Sequence, residues 1–283
     1  METFESLNRE TKETPEGMRT KQFENPKEMM PEMKNKWVYL AIPAATIAFA
    51  ELMIYSGREV GAMVVHALVL LGLSLSIMFI KNEGIQKTYQ AFILLPILRL
   101  VDFSMPLFYT ERLYNLIFIY SLLAIPVSIA VTNQDFTRKQ LGITFERIAI
   151  YIPLSIVMGF LLGVGEFFVV GENPLIQNFS IINLLSLTII MVFFVSPVEE
   201  IIFRSILQNR LETVLGNRKA LIITSMLFGL MHSGYGSISE ILYIISVGTL
   251  IGYLFYRTRS LPLVTLIHGF MNVFFFGVIP FFF

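Results

Sequence analysis

The residues best placed to do chemistry lie where an apolar run long enough to cross a bilayer, 181–208, meets Glu199, Glu200 and Arg204. An ionisable side chain at membrane depth costs about 3 kcal/mol or more, so such a residue is a functional candidate by default. Glu200 and Arg204 are spaced i, i+4 and can neutralise each other on one helix face. Successive helical residues point about 100° apart, so Glu199 lies off that face without a local cation. Glu199 is therefore the carboxylate that is available for a reaction.

Two histidines and an asparagine on later apolar runs extend this into a candidate site. His268 and Asn272 are spaced i, i+4, so one helix face presents a ring nitrogen and a carboxamide together. His232 follows Phe228 by four residues on an earlier run. A single buried histidine is more often structural than catalytic. Carboxylate, imidazole and amide groups on three helices of one bundle nevertheless predict that they share a site.

The composition indicates an integral membrane protein and narrows the chemistry. Of the 283 residues, 55% are hydrophobic and 15% are charged, which is too apolar for an ordinary soluble surface. The formal net charge is zero, so nothing favours a nucleic-acid partner. The chain has no cysteine, which excludes a disulfide framework, a thiolate nucleophile and a cysteine metal site.

Apolar runs of about 20 residues, the length that crosses roughly 30 Å of hydrocarbon, recur along the chain. They predict an all-α fold, a polytopic transmembrane helix bundle of about nine spans, with eight as the alternative. The third run carries Pro96, Arg99, Asp102 and Pro106 and the seventh run is short, so either could be re-entrant or broken. The predicted spans lie near residues 37–57, 61–81, 88–108, 113–132, 148–170, 182–210, 220–235, 238–256 and 261–280.

The distribution of Lys and Arg between the loops predicts the orientation, because short cytoplasmic loops collect these residues. With the N-terminus inside, basic and non-basic loops alternate without a break through nine spans. This pattern predicts a cytoplasmic N-terminus and places Phe283 outside. The outer connections hold Arg58 and Arg112, and the inner ones hold Lys81, Lys87, Arg138, Lys139, Arg147, Arg218, Lys219, Arg257 and Arg259.

Three segments are predicted along the chain. Residues 1–36 hold seven Lys/Arg and eight Glu without a long apolar run, and they are expected to form a cytoplasmic polar tail. Residues 37–132 form an N-terminal group of four transmembrane spans, and residues 133–283 form a second group of five that begins with a polar connector. No internal repeat is visible, so an inverted-repeat transporter gains no support.

Other polar residues inside the spans have a structural role as their first interpretation. Glu51 and Glu166 lack a local partner, and a catalytic or binding role is the alternative for each. His66 is expected to be neutral and bonded to a neighbouring carbonyl. Arg99 and Asp102 are spaced i, i+3 and are expected to form an internal ion pair, which would either brace the bundle or line a polar cavity.

Three short motifs resemble those of a known family. E-E-I-I-F-R, F-G-L-M-H and H-G-F-M-N are similar to the E-E-x-x-x-R, F-x-x-x-H and H-x-x-x-N/D motifs of the type II CaaX prenyl endopeptidases and their prokaryotic relatives, the CPBP or Abi family. Each motif is weak alone, but three in the right order on separate membrane helices are specific. The resemblance covers the chain from about residue 132 and implies a CPBP-like intramembrane protease domain over residues 133–283.

This resemblance implies an intramembrane endopeptidase in which a glutamate activates the attacking water. By motif position, Glu199 is similar to that glutamate and His232 to its partner in holding the water. His268 and Asn272 are similar to the pair that stabilises the oxyanion. Such groups suit peptide hydrolysis, which needs a base for water and donors for the developing negative charge. The supporting motif positions fall on Glu200, Arg204 and Phe228.

Two alternatives stay open. Glu199, His232 and His268 could form a Glu/His/His zinc shell with one open position, which would make the protein a zinc-dependent protease. The preferred interpretation has no cofactor, since no H-E-x-x-H helix is present. The second alternative is a non-enzymatic membrane protein: an immunity factor, a scaffold or a transporter. A complete catalytic set, clustered in the second group of spans, favours the enzyme.

The surroundings that follow from this interpretation are those of a multi-pass protein of the cell membrane. Membrane lipids are its expected neighbours, and a peptide or a lipidated protein is its expected substrate. No nucleic acid is expected among its partners. No feature of the sequence identifies the physiological substrate.

Overall fold

The computed structural model describes residues 30–104, 112–171 and 173–283. Within these ranges the chain is helical and has no strand, which confirms the predicted all-α class. The α-helices in chain order are α1 (Met30–Tyr55), α2 (Glu59–Ile77), α3 (Glu83–Ser104), α4 (Arg112–Asn133), α5 (Arg138–Leu141), α6 (Ile148–Val170), α7 (Ile181–Ile190), α8 (Ser196–Glu200), α9 (Asn209–Leu215), α10 (Asn217–Leu230), α11 (Ile238–Thr258) and α12 (Leu261–Gly277).

The exterior of the bundle is apolar, while charged groups lie inside. On α2, Val64, Leu68, Leu71 and Leu75 are all exposed and recur every three or four residues, so they form one face. This arrangement reverses that of a soluble protein and is expected in lipid, where charges are confined to the bundle interior. The buried acidic and arginine side chains of the described residues are Glu51, Arg99, Glu166, Glu200, Arg204 and Glu240.

Seven helical runs of the described chain are long and apolar enough to cross a membrane, which makes this a multi-pass membrane protein. The predicted third and seventh spans are the two that do not qualify. α3 carries Glu83, Lys87, Arg99 and Asp102. α10 has 14 residues and is about 21 Å long at the helical rise, less than the thickness of a bilayer core. Nine spans and the orientation therefore stay predictions.

The structure bears on two of the three predicted segments. Most of the tail, 1–36, lies outside the described residues, but α1 already begins at Met30. Residues 39–283 form one compact unit in which α3 and α4 pack against the helices after residue 180. Helices of the first group of spans therefore pack against helices of the second group. A domain boundary at residue 132 stays a prediction. The polar connector contains α5, which begins with a capping box.

The helix that carries the adjacent glutamates runs continuously over Ile181–Leu215, here called the long helix. α7, α8 and α9 are its α-helical parts. They are separated by two π-helical segments, Met191–Val195 and Ile201–Gln208. Pro197 lies at the start of α8 and lacks the N–H that would continue the hydrogen-bond ladder. π-Helical segments concentrate at functional sites, and here they flank α8, which holds both glutamates.

α12 packs directly against the long helix and is the most buried of the membrane-capable helices. Gly269 makes the close approach possible. A Cβ at this position would lie 3.0 Å from Val192 Cα, a backbone atom of the first π-helical segment. A larger residue would push the two helices apart. Glycine here therefore sets His268 and Asn272, its neighbours on α12, beside the long helix.

Candidate active site

One cavity of about 580 Å³ collects the four residues that the sequence predicts for the site. Glu199 reaches it from α8, His232 from the turn after α10, and His268 and Asn272 from α12. The volume is within the range of small-ligand sites. The predicted convergence of these side chains on one cavity is therefore present in the fold.

The two adjacent glutamates have different surroundings. Glu200 is fully buried, and its Oε2 accepts a hydrogen bond of 3.0 Å from Arg204 Nε, as the i, i+4 spacing predicted. Glu199 lines the cavity, and its Oε1 accepts a hydrogen bond from the hydroxyl of Tyr120 on α4. The pair thus separates into one carboxylate of the core and one carboxylate of the cavity.

His268 connects these two carboxylates. Its Nδ1 lies 2.9 Å from Glu200 Oε1, and its Nε2 lies 3.8 Å from Glu199 Oε2. A carboxylate accepts hydrogen bonds, so Nδ1 carries a hydrogen and donates it to Glu200. This bond orients the imidazole and directs Nε2 to the side of Glu199. Asn272, one turn further along α12, lines the same cavity.

His232 is oriented by the backbone. Its Nδ1 lies 2.9 Å from the carbonyl oxygen of Phe228. A carbonyl only accepts, so Nδ1 is the donor and Nε2 of the neutral ring keeps its lone pair. The predicted span continued to residue 235, but α10 ends at Leu230. The chain turns there through Ser-Gly-Tyr-Gly, with Gly236 at φ 65°, so His232 lies on a turn and not inside a helix.

The phenyl ring of Phe228 lies between the other motif residues. The guanidinium carbon of Arg204 is 4.8 Å from the ring centroid, which is a cation–π contact. The ring centroids of His232 and His268 lie at 5.2 and 5.7 Å. Because Phe228 is buried and contacts all three residues, it fixes their spacing.

Residues on the helices before residue 181 also contact the candidate site residues or the turn that carries His232, through partners that the sequence did not reveal. Tyr120 is one case, because a tyrosine in an apolar run carries no signal of its own. The second case is Glu51 on α1, whose two carboxylate oxygens accept hydrogen bonds of 3.0 and 2.6 Å from Arg99 Nε and Nη2 on α3. The two residues are 48 positions apart, so no local spacing rule could pair them.

This Glu51–Arg99 pair changes two predictions. His66 Nε2 lies 3.1 Å from Glu51 Oε1, so the neighbour of this histidine is a carboxylate and not the predicted carbonyl. The predicted pair of Arg99 and Asp102 is present at 3.3 Å, but the bidentate contact with Glu51 is closer. Glu166 lines the cavity, and its carboxyl lies beside that of Glu240 on α11.

A metal shell is not assembled in this arrangement. Throughout the described ranges, no three His, Cys, Asp or Glu side chains are close enough together to hold a metal ion. A zinc shell of Glu199, His232 and His268 would require these side chains to move towards one another. Glu/His/His is a donor set that zinc accepts, so the zinc-dependent alternative stays a prediction.

Comparison with protein families assigns the segment that carries the site. Residues 181–274 match the model of a family described as type II CAAX prenyl endopeptidase Rce1-like. The match confirms the resemblance seen in the motifs: over this segment, about a third of the chain, the sequence is similar to that membrane-protease family. All seven motif residues lie inside the matched segment, whereas α1 to α6 lie before it. Comparisons with curated proteins and with solved structures give no match.

Proposed function

We propose that the protein is an intramembrane endopeptidase of the CAAX prenyl protease type that acts without a metal. The observation that carries the proposal is the convergence of Glu199, His232, His268 and Asn272 on one cavity, with each histidine oriented through its Nδ1. The family description supports the same reaction class. The proposed setting is the cell membrane, and the proposed substrate is a peptide or a lipidated protein.

Glu199 is the proposed general base. A water between its carboxylate and His232 Nε2 can donate one hydrogen bond to each, because both atoms are acceptors. As the water oxygen attacks the peptide carbonyl carbon, its proton passes to Glu199. The C–O bond forms while the carbonyl π electrons move onto oxygen. A tetrahedral oxyanion results.

His268 and Asn272 are the proposed donors to that oxyanion. Asn272 offers its side-chain N–H, and His268 offers Nε2–H when both ring nitrogens are protonated, since Nδ1–H is already donated to Glu200. Collapse of the intermediate breaks the C–N bond, and the proton held by Glu199 passes to the leaving amine. The products are a new carboxylate and a new amino terminus.

The test is cleavage of a fluorescence-quenched peptide by the purified protein in detergent. Glu199→Gln keeps the shape of the side chain but removes its basicity, so cleavage should fall to background while the melting temperature is kept. Glu166→Gln is the matched control, because it changes the other glutamate that lines the cavity. A Glu199→Gln protein that cleaves at the wild-type rate would refute the proposal.

Metal dependence is tested on the same preparation. The metal-free mechanism predicts that prolonged chelation leaves the cleavage rate unchanged. Loss of activity on chelation, followed by recovery with zinc and not with magnesium, would establish the zinc-dependent alternative. In that case Glu199, His232 and His268 would be the ligands to replace one at a time.

A further inference from the structure

Tyr120 contacts the proposed base from a helix outside the matched segment. Its hydroxyl donates to Glu199 Oε1, and its side chain is buried in the cavity wall. The second carboxylate oxygen, Oε2, is the one that faces His268 Nε2. The terminal torsion of a glutamate is broad and weakly restrained. A hydrogen bond to one oxygen therefore fixes where the other one points.

The turn that carries His232 is held from the same side. Arg99 Nη2 donates to the carbonyl oxygen of Met231 at 2.5 Å, and Ser233 Oγ donates to Glu51 Oε2 at 2.9 Å. These are the residues immediately before and after His232. The Glu51–Arg99 pair is therefore hydrogen-bonded to the turn on both sides of the histidine.

We infer that α1, α3 and α4 are a working part of the site, with Tyr120 as the positioning residue for Glu199 and the Glu51–Arg99 pair as the positioning residues for His232. This inference rests on the proposed function. Its physical basis is that misplacing a reacting group by about 1 Å can lower a rate by about 100-fold. Without these contacts, the carboxylate and the turn would each sample other orientations.

The first test replaces the hydroxyl alone. In Tyr120→Phe we expect kcat to fall by about 10- to 100-fold, the range for a hydrogen bond to a charged group. KM and the melting temperature should change little. Tyr89→Phe is the matched control: Tyr89 is also buried in the N-terminal helices, and its hydroxyl donates to the Tyr39 carbonyl, away from the cavity. The control should keep the wild-type kcat.

Glu199→Gln in the same assay distinguishes failure of the proposed function from failure of the positioning role of Tyr120. If Glu199→Gln is inactive and Tyr120→Phe equals Tyr89→Phe in kcat, positioning by Tyr120 is refuted while the proposed function stands. If Glu199→Gln remains active, the proposed function fails and the inference fails with it. A selective fall of kcat in Tyr120→Phe supports the inference.

The second test follows the turn without measuring activity. The chain has no cysteine, and a Cβ added at Gly234 meets no atom within 4 Å, so Gly234→Cys carries a single spin label at the turn. Adding Arg99→Lys, which keeps the charge but loses the bidentate geometry, should increase label mobility. Arg259→Lys is the control, since the side-chain hydrogen bonds of Arg259 are to Asn209 and Glu212.

Ser233→Ala is the milder variant if Arg99→Lys lowers expression. It removes the hydroxyl bond to Glu51 and leaves the Glu51–Arg99 pair intact. We expect a smaller increase in label mobility and a reduced kcat with an unchanged KM. Mobility equal to that of the Arg259→Lys control in both variants would overturn the role given to the Glu51–Arg99 pair.

Discussion

Two buried glutamate–arginine pairs support the histidines of the candidate site, and they differ in how the chain brings their partners together. Glu200 and Arg204 are one helical turn apart within the matched segment. Glu51 and Arg99 come from α1 and α3, before that segment. In both pairs a histidine nitrogen lies near the glutamate: His268 Nδ1 at 2.9 Å and His66 Nε2 at 3.1 Å, respectively.

The two pairs have comparable roles, but only the Glu200–Arg204 pair is part of a family motif. The Glu200–Arg204 pair orients His268 directly, through a hydrogen bond to its ring. The Glu51–Arg99 pair holds the backbone and a hydroxyl on either side of His232. A family motif can include the first pair because its spacing is local. The second pair performs a comparable task from a distance, and it has no motif of its own.

The largest expected effect comes from removing either cation. Arg204→Met and Arg99→Met each leave a buried carboxylate without its arginine, with only the hydrogen bond from His268 or Ser233 remaining, and the free energy of unfolding should fall by about 3–5 kcal/mol in both. Denaturation in detergent, followed by tryptophan fluorescence or circular dichroism, measures this loss. Arg259→Met is the control, because this arginine is 38% exposed and Glu212 keeps the hydrogen bond from Gln208 Nε2, so a smaller loss is expected.

If either Arg204→Met or Arg99→Met kept the wild-type stability, the two pairs would not be equivalent supports. That result would mean that the remaining glutamate is neutral or finds another partner. Equal losses would support the view that both pairs are structural supports of the same kind. The melting curve of Glu200→Gln then distinguishes charge from packing, since it removes the anion and leaves Arg204 in place.

The next prediction is a smaller effect, a difference in kcat between variants on two sides of the cavity wall. Asn272 on α12 and Asn115 on α4 both line the cavity with an amide. Asn272→Ala removes one proposed oxyanion donor, so kcat should fall by about 10² to 10³ without a change in melting temperature. Asn115→Ala should keep most of the activity, because this amide is outside the proposed machinery. Similar kcat values for the two variants would contradict the oxyanion role.

The smallest expected effect concerns the aromatic rings beside the two arginines. Arg204 lies 4.8 Å from the centroid of Phe228, and Arg99 lies 5.8 Å from that of Phe103. Phe228→Leu should lower stability by about 2 kcal/mol, since this cation–π contact is desolvated, and Phe103→Leu by about 0.5–1 kcal/mol. Thermal unfolding of both variants measures the two losses of stability. A larger loss in Phe103→Leu would mean that the Arg99–Phe103 contact is the stronger of the two.

The sequence alone determined the fold class and the four central residues of the candidate site. Runs of apolar residues long enough for a bilayer specify helices, because lipid offers no partner for an unpaired backbone group. Glu200 and Arg204, and likewise His268 and Asn272, could be related because the helical repeat places i and i+4 on one face. The three motifs likewise indicated a shared cavity.

Only the tertiary structure decided which residues from the first helices complete that site. Tyr120 and Glu199 are 79 positions apart, and Ser233 and Glu51 are 182 apart, so no periodicity in the sequence relates them. The end of α10 before His232 was missed by the apolar-run criterion, although the Ser-Gly-Tyr-Gly that follows is itself a turn signal in the sequence. Spacing along one helix is fixed by its hydrogen bonds, whereas contacts between helices depend on how whole surfaces pack.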